Sequence, residues 1–209
     1  MNTTAAPPLD IHPVTLSGEH VTLAPLAPAH AADLREAVRD GELWNLWYTA
    51  IPHPDRMDAE IARRLDLQAK GSMLPFTVLT PDGRAVGMTT YMNIDAVNRR
   101  VEIGSTWYRR AVQRSPLNTQ AKRLLLAHAF DTLGCHAVEF RTHFFNHASR
   151  KAIERLGAKL DGILRNHQIN PHPLAAGALR DTCVYSILPG EWPSVRAHLD
   201  YQLTRPRTT

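Results

Sequence analysis

Arg109-Arg110-Ala111-Val112-Gln113-Arg114-Ser115-Pro116-Leu117-Asn118-Thr119-Gln120-Ala121-Lys122-Arg123 carries five cations and no acid. It lies between a strand-like segment, Arg100 to Tyr108, and a run whose apolar residues recur at helical spacing, Leu124 to Leu133, with Gly134 as its stop. A strand leading through a tight basic loop into a helix start is a physical recipe for holding phosphate. Unpaired N–H groups and the positive end of the helix dipole converge there, and arginines add mobile charge. A basic helix start with no ligand is an equally common outcome for such a run taken alone.

Working upstream, Ala85 to Tyr91 and Phe76 to Leu79 are strand runs joined by the turn signal Pro81-Asp82-Gly83. Asn93 to Asn98 is a polar turn, so these runs and Arg100–Tyr108 form an antiparallel meander. Asp58 to Lys70 is predicted as a helix with Ile61, Leu65 and Ala69 inward, and Ala29 to Glu42 as another with Ala31, Leu34, Ala37 and Val38 inward. Val21-Thr22-Leu23 is a short strand. Downstream, Val138, Phe140, Thr142 and Phe144 alternate with polar residues as in a half-buried strand. Asn146 caps a helix that Gly157 ends. Strands follow near Leu160–His167 and Leu179–Ile187, then a helix over Glu191–Leu203 with Trp192, Val195 and Leu199 on one side. The strand–helix–strand unit implies a right-handed crossover and a local parallel pair in a mixed sheet. The fold class is α/β, one domain over residues 14–204, preceded by a flexible tail at 1–13.

Composition narrows the class. The 209 residues, 44% hydrophobic and 21% charged, describe a soluble globular chain with a sizeable core. No run nears the roughly 18 apolar residues of a membrane span, and the first residues lack an export signal. Two cysteines, Cys135 and Cys183, make no disulfide framework and read as buried thiols of a cytoplasmic protein. The net charge of +4 is modest and scattered outside the basic run, so nucleic acid is not expected as the main partner. Eleven histidines show no zinc spacing backed by cysteines, and no metal is expected. Trp44, Trp47 and Tyr48, before the breakers Pro52 and Pro54, fit either core packing or a pocket wall.

Glu102 to Trp107, the loop Gln113 to Thr119, Asn146-x-x-Ser149 with Leu156-Gly157-Ala158, then Gly162, Arg165, Arg180 to Ile187 and Glu191-Trp192-Pro193 resemble the GCN5-related N-acetyltransferases (GNAT) in order and spacing. Within them the chain is similar to the branch that includes the bacterial ribosomal-protein N-terminal acetyltransferases. The resemblance implies a GNAT-like sheet, mostly antiparallel, with splayed parallel strands flanked by helices. It implies acetyl transfer from acetyl-CoA to a primary amine, on a protein N-terminus or a small molecule, and a possible homodimer through the apolar side of the last helix.

The same resemblance assigns roles. Pantetheine pairs with backbone near Trp107 and Tyr108, and the pyrophosphate rests on the loop of Gln113, Arg114, Ser115, Leu117, Asn118 and Thr119. Asn146 bonds the pantetheine and Ser149 sits near the thioester sulfur. The family loop carries glycines where this chain reads Ser115-Pro116-Leu117-Asn118. Pro116 lacks an N–H, and Asn118 is expected to supply the left-handed φ of a glycine. Glu102 corresponds to a carboxylate that deprotonates the amine; its alternative is a salt bridge with Arg99 or Arg100. Ser149 as donor to the thiolate competes with Ser149 as a first-turn helix residue, and Tyr185 is a further donor candidate. The helix 1–2 region (Trp44, Trp47, Tyr48) and the late loop with His172 line the amine pocket. The competing function is a GNAT-fold binding module, for protein or nucleic acid, without catalysis.

Overall fold

The hairpin around Pro81-Asp82-Gly83 sets the centre of the molecule: β3 (Met73–Leu79) pairs antiparallel with β4 (Ala85–Asp95), and β4 with β5 (Arg100–Tyr108). This computed structural model describes residues 9–205. Strands β1 (Leu16–Ser17), β2 (Thr22–Pro25), β6 (Ala137–His143), β7 (Lys159–Ile169) and β8 (Leu179–Ile187) complete an eight-stranded sheet of order β1-β2-β3-β4-β5-β6-β8-β7. Among the described strands only β5 and β6 run parallel, as the crossover requires.

Among the described residues five α-helices cover the sheet. On one face α1 (Ala31–Arg39) and α2 (Met57–Ala69) close a smaller core with Met88 and Trp107. On the other face α3 (Pro116–Ala127), α4 (His147–Arg155) and α5 (Trp192–Thr204) close the main core with Tyr91, Ile103, Phe140 and Tyr185. The period-3.6 reading of α1 holds residue for residue: Ala31, Leu34, Ala37 and Val38 are its buried positions.

The structure corrects several expectations. Ala69 is exposed, and the buried α2 position after Ile61 is Arg64. The polar turn starts later than Asn93, because β4 runs on to Asp95. The helix after the basic loop is regular only to Ala127; His128–Thr132 widens into a π turn before Gly134 (φ 64°). The apolar side of α5 is spent inside the domain, so it is not the free surface that the homodimer expectation assumed. Of the expected tail, residues 1–8 lie outside the described residues, while Leu9 is buried and donates its N–H to the Ala96 carbonyl at 3.2 Å. Cys135 and Cys183 are both buried and unbridged. Among the described residues no helix is long and apolar enough to cross a membrane.

Candidate active site

The parallel pair is short. β5 and β6 share register only from Arg100↔Ala137 to Glu102↔Glu139, and the rest of each strand diverges into a gap. A bulge in β5 bends it away: Met88 pairs with Trp107 but Thr90 with Gly104, and Ser105 sits at φ 48°. Polar side chains from both layers secure the bulge. From α2, Arg64, held by Glu60 at 2.7 Å, donates to Thr90 Oγ1 at 2.8 Å and to the Ser105 carbonyl at 3.4 Å. From α3, Lys122 donates to Thr106 Oγ1 at 2.9 Å and Thr89 Oγ1 at 3.2 Å. Burial with no carboxylate beside it pushes the Lys122 amine down to about 7.

At the gap's end stands the start of α3. Ser115 is its N-cap, accepting from the Leu117 N–H at 3.3 Å and donating to the Val112 carbonyl at 2.7 Å. Pro116 occupies the first helical position, where the N–H has no intrahelical partner in any case. The left-handed residue is Arg114 (φ 63°), not Asn118, which lies in the first helical turn. Asn118 Oδ1 is buried without a hydrogen bond. Gln113 Nε2 donates to the Tyr108 carbonyl at 3.0 Å, closing the loop on the strand end. Leu117 and Thr119 are buried, so only their backbone can face a phosphate.

The five pooled cations separate in space. Arg109 pairs with Asp40 at 3.1 Å, Lys122 lies under the sheet, and Arg123 pairs with Asp200 at 2.8 Å. Arg110 and Arg114 are the exposed ones at the loop. The Asp40 carboxylate, held below its usual range mainly by the Ala111 N–H, ties this loop to the end of α1.

Glu102, at the last β5 position that pairs with β6, is buried on the α1/α2 face. Its Oε2 accepts from Asn93 Nδ2 at 2.7 Å and lies 3.6 Å from Arg141 Nε. Arg99 and Arg100 are not its partners. Arg99 donates to the Gly134 carbonyl at 3.0 Å, and Arg100 to Glu139 at 2.9 Å. Desolvation raises the Glu102 carboxyl above the ordinary glutamate range, against the pull of Asn93 and Arg141.

The aromatic segment reaches the same face. Trp47 packs edge-on against His143 with centroids 5.1 Å apart, touches Phe145 at 5.8 Å and Tyr48 at 5.7 Å. Trp44 instead packs on His53 and the smaller core. His172 caps its own turn, accepting from the Leu174 N–H at 3.2 Å, and no hydrogen bond or ion pair joins it to Glu102.

On the opposite face, Asn146 caps α4 through Oδ1, which accepts from the Ser149 N–H at 3.0 Å. Tyr185 donates its hydroxyl proton to Glu154 at 2.9 Å and accepts from Arg150 at 3.2 Å, so that proton is already committed and Tyr185 is a poor thiolate donor. The gap between β5 and β6 is therefore reached from α3 and α4 on one side and from Glu102 on the other. Among the described residues no three metal-ligating side chains gather.

A model of the GNAT acetyltransferase domain matches residues 20–159, two thirds of the chain. The chain belongs to the GNAT acetyltransferase family. It is an acyltransferase by that membership. It is 29% identical over 182 residues to Bacillus subtilis (strain 168) YdaF, named provisionally as a ribosomal N-acetyltransferase, covering 83% of this chain and 94% of YdaF. A GCN5-related N-acetyltransferase from Brucella melitensis superposes with TM-score 0.80 at 29% identity, over 95% of this chain and 90% of that one. Mycobacterium smegmatis RimJ, solved in complex with CoA-disulfide, shares the fold at TM-score 0.76 and 22% identity, over 92% and 97% of the two chains.

Sequence reasoning missed Asn93, Arg141, Lys122 and Arg64. For Arg64 a signal existed, since it is one turn from Ile61 and Glu60 lies four residues before it. Asn93 and Arg141 depend on strand pairing and leave no local trace.

Proposed function

We propose that this GNAT enzyme moves the acetyl group of acetyl-CoA to a primary amine by direct attack in a ternary complex. One observation carries the reading: a desolvated carboxylate, Glu102, stands on one face of the β5/β6 gap, while two helix starts stand on the other. The residues present fit the donor. The α3 start offers the first-turn N–H of Asn118, which the Ser115 cap leaves open, and the exposed cation Arg114 for phosphate. The edge of β5 at Trp107–Tyr108 away from β4, where Gln113 holds the Tyr108 carbonyl, and the Asn146 amide suit the amides of a pantetheine arm.

Bound acetyl-CoA supplies an activated thioester. Glu102 takes a proton from the acceptor ammonium, directly or through a water, freeing the nitrogen lone pair. A backbone N–H of splayed β5 polarises the carbonyl under attack. The C–N bond forms as the C–S bond breaks, and the Ser149 hydroxyl passes its proton to the departing sulfur. That hydroxyl is reprotonated by the second proton that the acylated nitrogen sheds through solvent, leaving the amide, free CoA thiol and the proton held by Glu102. Trp47 and Tyr48, with Trp44 behind them, wall the acceptor, and the loop with His172 completes the rim. Residues 14–204 act as the catalytic domain. The two buried free thiols fit a reducing cytosol.

Amine-dependent release of free CoA, followed over a panel of amines, tests this reading. Calorimetry should show acetyl-CoA binding displaced by CoA. Arg114→Glu should weaken it about tenfold or more, with a loss that shrinks as salt rises. No heat at millimolar ligand would remove the donor from the scheme.

A further inference from the structure

The face that carries Glu102 also carries a positive charge that the acetyl transfer leaves unused. Register on β6 and β8 sets His143 opposite Thr182 and Arg141 opposite Val184, so alternation puts Arg180 on the same face as Arg141 and Glu102. Arg100, Arg141, Glu102 and Glu139 cluster there with Asp161 beside Ser186, and Arg180 lies further along β8 within electrostatic reach of Glu102. Arg100 and Arg141 bracket Glu139, at 2.9 Å each, and Arg141 reaches on to Glu102 at 3.6 Å. Three arginines thus share the face with three carboxylates, Glu102, Glu139 and Asp161, and it is the pairing that is uneven.

Arg180 is the one left over. Among the described residues no carboxylate lies within 4.0 Å of it, and its hydrogen bond is to Thr182 Oγ1 at 3.2 Å. It is partly buried, which disfavours its charge, and the opposing influence is the more distant Glu102. His143 beside it is held toward its neutral form by burial and by Arg180 itself, against the pull of Asp181, so it adds no second positive charge. A half-desolvated guanidinium with no carboxylate partner, beside the Trp47–His143 aromatic wall and within electrostatic reach of the proposed base, is a seat for an external oxyanion. The planar fork favours a carboxylate bound in two-point fashion.

We propose that Arg180 determines acceptor specificity by binding a carboxylate of the acceptor, which makes the preferred substrates amines bearing a carboxylate near the nitrogen. Free amino acids and peptide N-termini with an acidic side chain share that chemistry. Glu102 repels the carboxylate and attracts the ammonium, and Arg180 does the reverse, so one orientation is selected. The inference rests on the acetyl-transfer reading above.

The test compares matched acceptors by CoA release: an amino acid against its amide, and an Asp-initiated peptide against its Asn counterpart. The carboxylate member should lead by about tenfold in kcat/KM, mainly through KM. Arg180→Gln should bring that ratio near one, and Arg180→Lys should retain part of it. Melting by circular dichroism checks that the variants fold; should the Gln variant fail to, the wild-type ratio and the Lys variant decide. The pair that discriminates tells a free carboxylate from an acidic side chain. A wild-type ratio of one or less, or a ratio that survives Arg180→Gln, overturns the inference alone. No CoA release with any acceptor overturns the acetyl-transfer reading and this inference with it.

Discussion

Lys122 shows how residue-scale physics departs from sequence proximity. In the chain it is one of five clustered cations; in the fold it points into the sheet, where its amine is pushed from 10.5 to about 7. Between those values the unfolded chain binds more protons than the folded one, so stability rises with pH across that window. Below about 7 both states are protonated and the cost of the buried charge is complete. Lys122→Met removes that cost, and Thr89 and Thr106 keep each other satisfied at 2.8 Å. The variant should melt several degrees higher at pH 6 and lose the pH slope. A lower melting temperature there, with the slope intact, would show that the lysine stabilises the bulge as a cation. The sequence showed the helix start correctly but pooled charges that α3 distributes around its axis. The left-handed φ was expected at Asn118, whereas it falls on Arg114, because Ser115 rather than a later residue caps the helix.

At the scale of elements, period and punctuation carried most of the information. The β5 bounds, the inward faces of α1 and α5 and the Asn146 cap were legible because each is set by neighbours within one or two turns. The β5 bulge and the short parallel register were not, since they depend on which strands meet. Gly87 marks this dependence. A Cβ there would stand 2.1 Å from the Trp107 carbonyl oxygen and 2.9 Å from Tyr108 Cα, both backbone atoms of β5 that no rotamer change can move. Gly87→Ala should therefore push β4 off β5 beside the bulge and cost about 3 kcal/mol or more in chemical denaturation. A loss under about 0.5 kcal/mol would mean that the two strands approach less closely in solution.

For the whole molecule, the order of elements carried the family, whereas assembly did not show in the sequence. With α5 used internally, an edge strand is the candidate surface for self-association. β7 spans 11 residues, has β8 as its one strand neighbour among the described residues, and exposes Leu160, Ile163, Leu164 and Ile169. We expect a homodimer through this edge, dissociated by Ile163→Lys with Leu164→Lys; light scattering that finds a monomer throughout the micromolar range contradicts it. The catalytic account concerns the complete molecule, because both layers must meet at the β5/β6 gap. Its pH signature follows from Glu102: burial raises that carboxyl, so the acid limb of kcat/KM should lie above the ordinary glutamate range. The most direct test is amine-dependent CoA release by Glu102→Gln, which keeps shape and removes the charge. Turnover should fall about 10²-fold, acetyl-CoA affinity should stay within a few-fold, and higher pH should restore part of the rate as more amine is already neutral. Unchanged turnover would contradict the assignment of Glu102 as the base.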